Sequence, residues 1–181
     1  MDPFVAQVTH ALGALTVFGD LAVLAIAFSM VFHKRGDWAL PRFLARHAVP
    51  FAFAVSFAAF LGSIFYSEIA GFPPCALCWL QRAFMYPQVL LLGVALLRHD
   101  RRILDYVLIL SFAGAALAGY NQYLQFGGIP LVPCGIAPGT VSCSQRFFLE
   151  FGYVTIPMMS LTAFALVASV IMGGRVHARR A

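Results

Sequence analysis

Five apolar stretches constrain this 181-residue chain more than anything else in it. They run from Ala11 to Phe32, Ala48 to Ala70, Trp79 to Leu97, Ile103 to Leu124 and Tyr153 to Gly174. Crossing a bilayer core takes about 20 apolar residues of helix, and each stretch meets or nearly meets that length. Lipid offers no hydrogen bonds to exposed backbone, so such segments must satisfy their own polar groups as helices. The composition agrees: 61% of residues are apolar and 10% charged, against about 45–50% and 25% in a soluble domain. The expectation is an all-α fold, a polytopic membrane helical bundle with little chain left for anything else. No linker, internal repeat or low-complexity tract interrupts it.

Charge placement predicts the orientation. Lys34, Arg35, Arg42 and Arg46 lie between the first two stretches. Arg98, Arg101 and Arg102 lie between the third and fourth, and Arg175, Arg179 and Arg180 follow the fifth. Ten of the twelve basic residues therefore share one side, which the positive-inside rule makes cytoplasmic. Only Arg82 and Arg146 fall on the other. The N-terminus is expected outside and the C-terminus inside. The net charge of +5 thus reads as a topology signal, since scattered loop residues without a groove-reading motif do not make a nucleic-acid surface.

The first stretch reads as a retained span. Met1 to His10 contains no Lys or Arg, and the apolar run exceeds a usual signal core. Asp20 sits near its middle, where an acid costs about 2.5–3.5 kcal/mol to insert. A functional acid and a neutral, interhelically hydrogen-bonded one are both open readings. Gly71, Pro73 and Pro74 should end the second helix sharply. Pro50 is expected near the start of its helix, where a missing amide proton costs least, and Pro87 should kink the third. Gln125 to Val141 carries Gly127, Gly128, Pro130, Pro133, Gly135, Pro138 and Gly139, and reads as irregular loop. Ser144 to Phe151, with three phenylalanines beside Arg146 and Glu150, suggests a short amphipathic piece lying on the bilayer; an exposed loop is the alternative.

The chain has four cysteines, and both pairs fall on the predicted outer side. Cys75-Ala76-Leu77-Cys78 precedes the third apolar stretch, and Cys78 falls where the third helix is expected to begin, so free amides and the helix dipole would face its sulfur. Thiolates are the reactive form and are favoured at such positions and near cations. Arg82 follows one turn later on the same face. By itself that arginine is a snorkelling side chain at a helix end; beside a CxxC it can stabilise a thiolate or a reduced carrier. Cys134 and Cys143 lie in the Gly/Pro-rich loop, which can bring their Cα atoms within the roughly 4.4–6.8 Å of a disulfide. An oxidising compartment would make that pair a bridge. A structural staple is its usual role, whereas a second pair on the same side points to exchange through mixed disulfides. Zinc is disfavoured, because eight residues separate the second pair where compact sites use about two to four. No nucleophile elbow, phosphate loop or paired-carboxylate motif is present in the sequence.

From Ala48 to Gly174 the chain resembles the disulfide bond formation protein B/C family (DsbB/BdbC), the quinone-dependent membrane thiol oxidases. The likeness rests on an ordered set: Cys75-Ala76-Leu77-Cys78 with Arg82, then Gln122-Tyr123-Leu124-Gln125, the Cys134/Cys143 pair, and Phe151-Gly152-Tyr153-Val154-Thr155-Ile156-Pro157. It implies a DsbB-like four-helix redox domain over residues 48–181, with residues 1–47 adding one N-terminal transmembrane helix and a cytoplasmic loop. It also implies a place in a bacterial cytoplasmic membrane. Cys134 and Cys143 would oxidise a soluble thioredoxin-fold protein of the DsbA type, Cys134 forming the mixed disulfide. Electrons would then pass through an interloop disulfide to Cys75 and Cys78. Cys78 would contact a quinone, ubiquinone or menaquinone, with Arg82 stabilising the charge that develops there. Tyr153 and Pro157 are candidate walls of its pocket.

Two features depart from the family pattern. The first span is extra, and Asn121 stands near where members often carry a histidine. Asparagine can donate a hydrogen bond but cannot relay a proton. Two alternatives remain at this point. A vitamin-K-epoxide-reductase-like enzyme shares the parts but places the loop pair before the CxxC. A non-catalytic membrane protein would hold two inert structural bridges.

Overall fold

The computed structural model describes residues 2–32, 39–131, 134 and 141–178. Lys34, Arg35, Pro133, Gly135, Pro138, Gly139, Arg179 and Arg180 lie outside the described residues. The chain forms helices α1 (Pro3–Phe32), α2 (Ala39–Ile64), α3 (Ala76–Arg98), α4 (Ile103–Gln125) and α5 (Ile156–Ala178), with a π-helical turn at Phe65–Ile69 ending α2. All five helices contain a segment long and apolar enough to cross a membrane. The fold is therefore the all-α polytopic bundle the sequence implies.

Helix α2 packs on α3, α3 on α4, α4 on α5 and α5 back on α2, so four helices close a ring. Helix α1 lies outside that ring against α5. This makes α5 the central element, with 56% of its apolar window buried against 17–28% for the others. Apolar side chains gain little from leaving lipid for one another, so close packing and interhelical hydrogen bonds hold such bundles together. One layer joins Ala52, Leu92, Leu104, Val107, Val167 and Ile171, and another joins Met85, Ala118, Ala163 and Phe164. Gly114 on α4 admits the Phe164 ring where any Cβ would collide with it. The Ser111 hydroxyl lies 2.8 Å from the Val107 carbonyl and 3.2 Å from Gln88 Oε1, a polar bridge between α4 and α3. At the end away from the cysteines, Arg175 pairs with Asp105 at 2.6 Å in the first turn of α4, where a carboxylate also suits the helix dipole.

Two local expectations change. Helix α2 begins at Ala39, so Pro50 lies in its interior and not near its start; the Leu, Ala and Arg residues before it are good helix formers and extend the helix outward. Ser144 to Phe151 forms no helix on the bilayer surface. Phe147 and Phe148 turn inward instead: Phe147 stacks on Phe72 at 4.6 Å, and Phe148 lies 5.4 Å from Tyr66. An exposed loop would have left those rings without apolar partners.

Candidate redox site

The CxxC is positioned by the way α3 starts. Gly71 adopts φ +69°, which reverses the chain after α2. Pro73 and Pro74 then bar further helix until Cys75. Cys75 is the N-cap, with extended backbone, and its sulfur accepts from the Cys78 amide at 3.2 Å. The free amide at the helix start is thus taken by the Cys75 sulfur, not by that of Cys78 as the sequence suggested. The reason is register: the helix begins at Ala76, which puts Cys78 already inside the first turn. Cys75 and Cys78 form a disulfide with Cα atoms 5.0 Å apart. Cys75 is 4% exposed, while Cys78 lines a cavity.

That cavity has a volume of about 510 Å³, within the roughly 300–1,000 Å³ of small-molecule sites. Its walls are mostly apolar; Gln81, Arg82 and Asn121 supply polar groups near the CxxC, and Thr16, Ser160 and Thr162 add hydroxyls along it. Arg82 donates to the Ser63 carbonyl at 2.9 Å and lies 5.1 Å above the Trp79 ring. The π-helical turn leaves carbonyls near the end of α2 free to accept, so the arginine both caps α2 and stays at the cavity. Asn121 is fully buried, and its amide nitrogen lies 3.8 Å from the sulfurs of both Cys75 and Cys78. Its Oδ1 and the Nε2 of Gln81 find no hydrogen-bond partner among the described residues. Tyr66, Phe72 and Phe147 roof this end of the cavity.

Cys134 and Cys143 form the second disulfide, with Cα atoms 5.8 Å apart. Cys143 is 1% exposed and Cys134 half-buried. Both disulfides belong to one apolar cluster, in which Cys75 and Cys143 are buried around Leu124 and Cys78 and Cys134 pack against them. The end of α4 holds the loop there. Tyr120 Oη accepts from the Leu131 amide at 2.8 Å, and Gln125 donates to the Gln145 carbonyl at 3.1 Å. Gln122 donates to the Tyr153 carbonyl at 3.0 Å and accepts from the Thr155 hydroxyl, which fixes the start of α5. Arg146 lies 5.3 Å over the Phe126 ring on the exposed face of the loop.

Comparison with known proteins now bears on this arrangement. The family model described as disulfide bond formation protein DsbB matches residues 45–173. The chain belongs to the DsbB family. It is 43% identical over 117 residues to the probable disulfide formation protein C 1 of Bacillus anthracis, covering 65% of this chain and 84% of that one. It is 41% identical over 121 residues to disulfide bond formation protein C of Bacillus subtilis, covering 64% and 83%. A probable disulfide formation protein of Chlamydia pneumoniae is 40% identical over 131 residues, covering 72% and 93%. No solved structure matches the chain. Family and fold together make this a multi-pass membrane disulfide oxidoreductase. Helix α1 lies wholly outside the segment matched to DsbB.

Of the residues singled out in the sequence, all four cysteines gather in one cluster, and Arg82 shares the cavity with Cys78. Pro157 lines the cavity, but Tyr153 is not among its walls. Tyr153 donates its hydroxyl to Asp20 at 2.8 Å instead. Asp20 also accepts from Thr162 at 2.6 Å, which makes the mid-span acid an interhelical tie. Sequence reasoning missed two residues. Gln81 carried no signal beyond its spacing from Cys78. Asn121 was visible only as the residue standing where other DsbB members often have a histidine.

Proposed function

We propose that this protein oxidises a soluble dithiol protein and passes the electrons through its two cysteine pairs to a membrane quinone. The observation that carries the reading is the burial of Cys75 and Cys143 around one leucine, with Cys78 at an apolar cavity. Half-buried Cys134 is the sulfur that an incoming thiolate can reach. Attack there forms a mixed disulfide and releases the Cys143 thiolate. Cys143 attacks Cys75, forming the interloop disulfide and releasing Cys78. The partner's second thiolate then resolves the mixed disulfide, and the partner leaves oxidised. Cys134 reclaims Cys143, which leaves Cys75 and Cys78 as the reduced pair. One disulfide made in the partner has moved two electrons to the CxxC.

A quinone takes up two electrons and two protons, the equivalents lost when Cys75 and Cys78 close again. The residues fit such a group. The walls suit an apolar ring, the Gln81 amide can donate to a carbonyl, and the Asn121 Oδ1 can accept from a hydroxyl. Arg82 supplies a fixed positive charge for the anionic character that develops on reduction. Either ubiquinone or menaquinone suits this chemistry. The positive-inside pattern supports a bacterial cytoplasmic membrane with the cysteines and N-terminus outside. A DsbA-like thioredoxin-fold protein is the partner this side would meet. Residues 48–181 form the redox unit in this reading, and residues 1–47 are an addition to it.

The test is an anaerobic reaction of the purified protein with a quinone and a reduced thioredoxin-fold dithiol protein. One quinol should appear for each partner disulfide formed. Partner oxidation with no quinol would sink the reading.

A further inference from the structure

The cavity is built partly from a helix that the family match does not cover. Leu12, Leu15, Thr16, Phe18 and Gly19 of α1 form one wall, facing Phe51, Ala54 and Ala58 of α2 across a floor on α5. Between Ile156 and Leu166, both at the cavity, α5 rises about 15 Å. The space is therefore a groove, with Cys78, Arg82 and Asn121 near one end and mostly apolar side chains with the Thr16, Ser160 and Thr162 hydroxyls further down. Leu15 and Phe18 are exposed at its rim, 66% and 68%, as is Phe51 on the opposite side at 43%. In a bilayer those rim residues face lipid.

Helix α1 is locked in place as a wall. Gly19 lies so close to α5 that a Cβ would stand 2.7 Å from Thr162 Cγ2 and 3.0 Å from Leu166 Cδ1. One residue on, Asp20 accepts from Tyr153 and Thr162, before and within α5. Nearer the N-terminus, His10 meets Glu150 at 3.1 Å, and Phe151 packs on Gly13. The mid-span acid has a use in this arrangement. It fixes α1 to the central helix and leaves the adjoining flank of α1, with Leu12, Leu15 and Phe18, to the groove.

We propose that α1 and α2 form a lateral binding groove for the polyprenyl tail of the quinone whose ring is reduced at Cys78. The occupant follows from continuity, since the groove leads from the redox-active sulfur along apolar walls to a lipid-facing rim. A carrier dissolved in lipid brings its long apolar chain from that direction. Asp20 is a positioning residue, acting through the placement of α1. The inference rests on the quinone reading above and assigns this chain's additional helix a part in it.

The test compares a long-tailed quinone with its tailless ring on the full-length protein in lipid nanodiscs. Leu15→Trp fills the groove from its lipid rim without entering the α1–α5 contact. The ratio of KM for the long-tailed to the tailless quinone should rise about tenfold, the equivalent of one well-buried apolar contact. Asp20→Leu, which frees α1 while keeping an apolar helix, should raise the same ratio. A quinone carrying a photoreactive group on its tail should label residues 12–22 of the unaltered protein. An unchanged ratio in a protein that still reduces tailless quinone would overturn the groove assignment alone. Labelling of that stretch only by a photoreactive phospholipid acyl chain would overturn it too, making the groove a lipid site. An unaltered protein inert to every quinone would remove the quinone reading and the groove together.

Discussion

The side-chain amide of Asn121 stands 3.8 Å from the sulfur of Cys78, across from the first turn of α3. It reaches Cys75 at the same distance, so one donor serves whichever sulfur carries charge during exchange. A hydrogen bond to a charged group contributes about 1.5 kcal/mol or more. Asn121→Leu should therefore slow alkylation of the reduced CxxC at neutral pH about tenfold, as followed by mass spectrometry. Quinol formation should fall with it. Asn121→His should restore both, because a ring N–H can make the same bond.

Arg82 caps the carbonyl end of α2 through Ser63 and stacks on Trp79 while it faces the cavity. Its planar fork can donate to Ser63 and still leave charge for a bound carrier, which a lysine ammonium does less well. Arg82→Gln should raise the KM for quinone at least about tenfold, and Arg82→Lys by less. Single-turnover oxidation of the dithiol partner should be unaffected in both. Steady-state kinetics against rapid-quench thiol counting separates the two effects.

The contrast in exposure between Cys134 and Cys143 predicts which sulfur the partner attacks. With Cys143→Ser, the free Cys134 thiolate should attack the disulfide of the oxidised partner, and the mixed disulfide between Cys134 and the partner should appear on a non-reducing gel. With Cys134→Ser it should not form. In the double variant Cys78→Ala and Cys134→Ser, oxidation should join Cys75 to Cys143, since both already pack around Leu124.

Packing at α4 and α5 gives a stability prediction. Gly114 leaves no space for a side chain against Phe164. Gly114→Ala should destabilise the bundle by about 1–3 kcal/mol, the usual cost of overpacking. Gly114→Ala combined with Phe164→Leu should recover much of the loss. Thermal unfolding in detergent, followed by cysteine accessibility, reads both.

Much of this was legible because bilayer physics leaves few choices. Runs of apolar residues between arginine clusters identified all five helices, and Gly71 with Pro73 and Pro74 marked the break between α2 and α3. Contacts between residues distant in sequence were harder to see. Ser144 to Phe151 looked like a surface amphipath because the rings that receive Phe147 and Phe148 lie on Phe72 and Tyr66, far upstream. Asp20 looked isolated because its partners are hydroxyls on Tyr153 and Thr162, which leave no charge pattern to read. Cys78 looked like the helix cap because a CxxC does not reveal which cysteine precedes the first helical residue. Apolar patterns tell which segments are buried or in lipid, and much less about which side chains meet.

The most direct measurement supplies a small dithiol and a quinone to purified single-cysteine variants and follows quinol absorbance. Cys134→Ala should still reduce quinone, because the small donor reaches the Cys75–Cys78 pair without the loop. Cys78→Ala should form no quinol above the uncatalysed rate. Normal quinone reduction by Cys78→Ala would contradict the account.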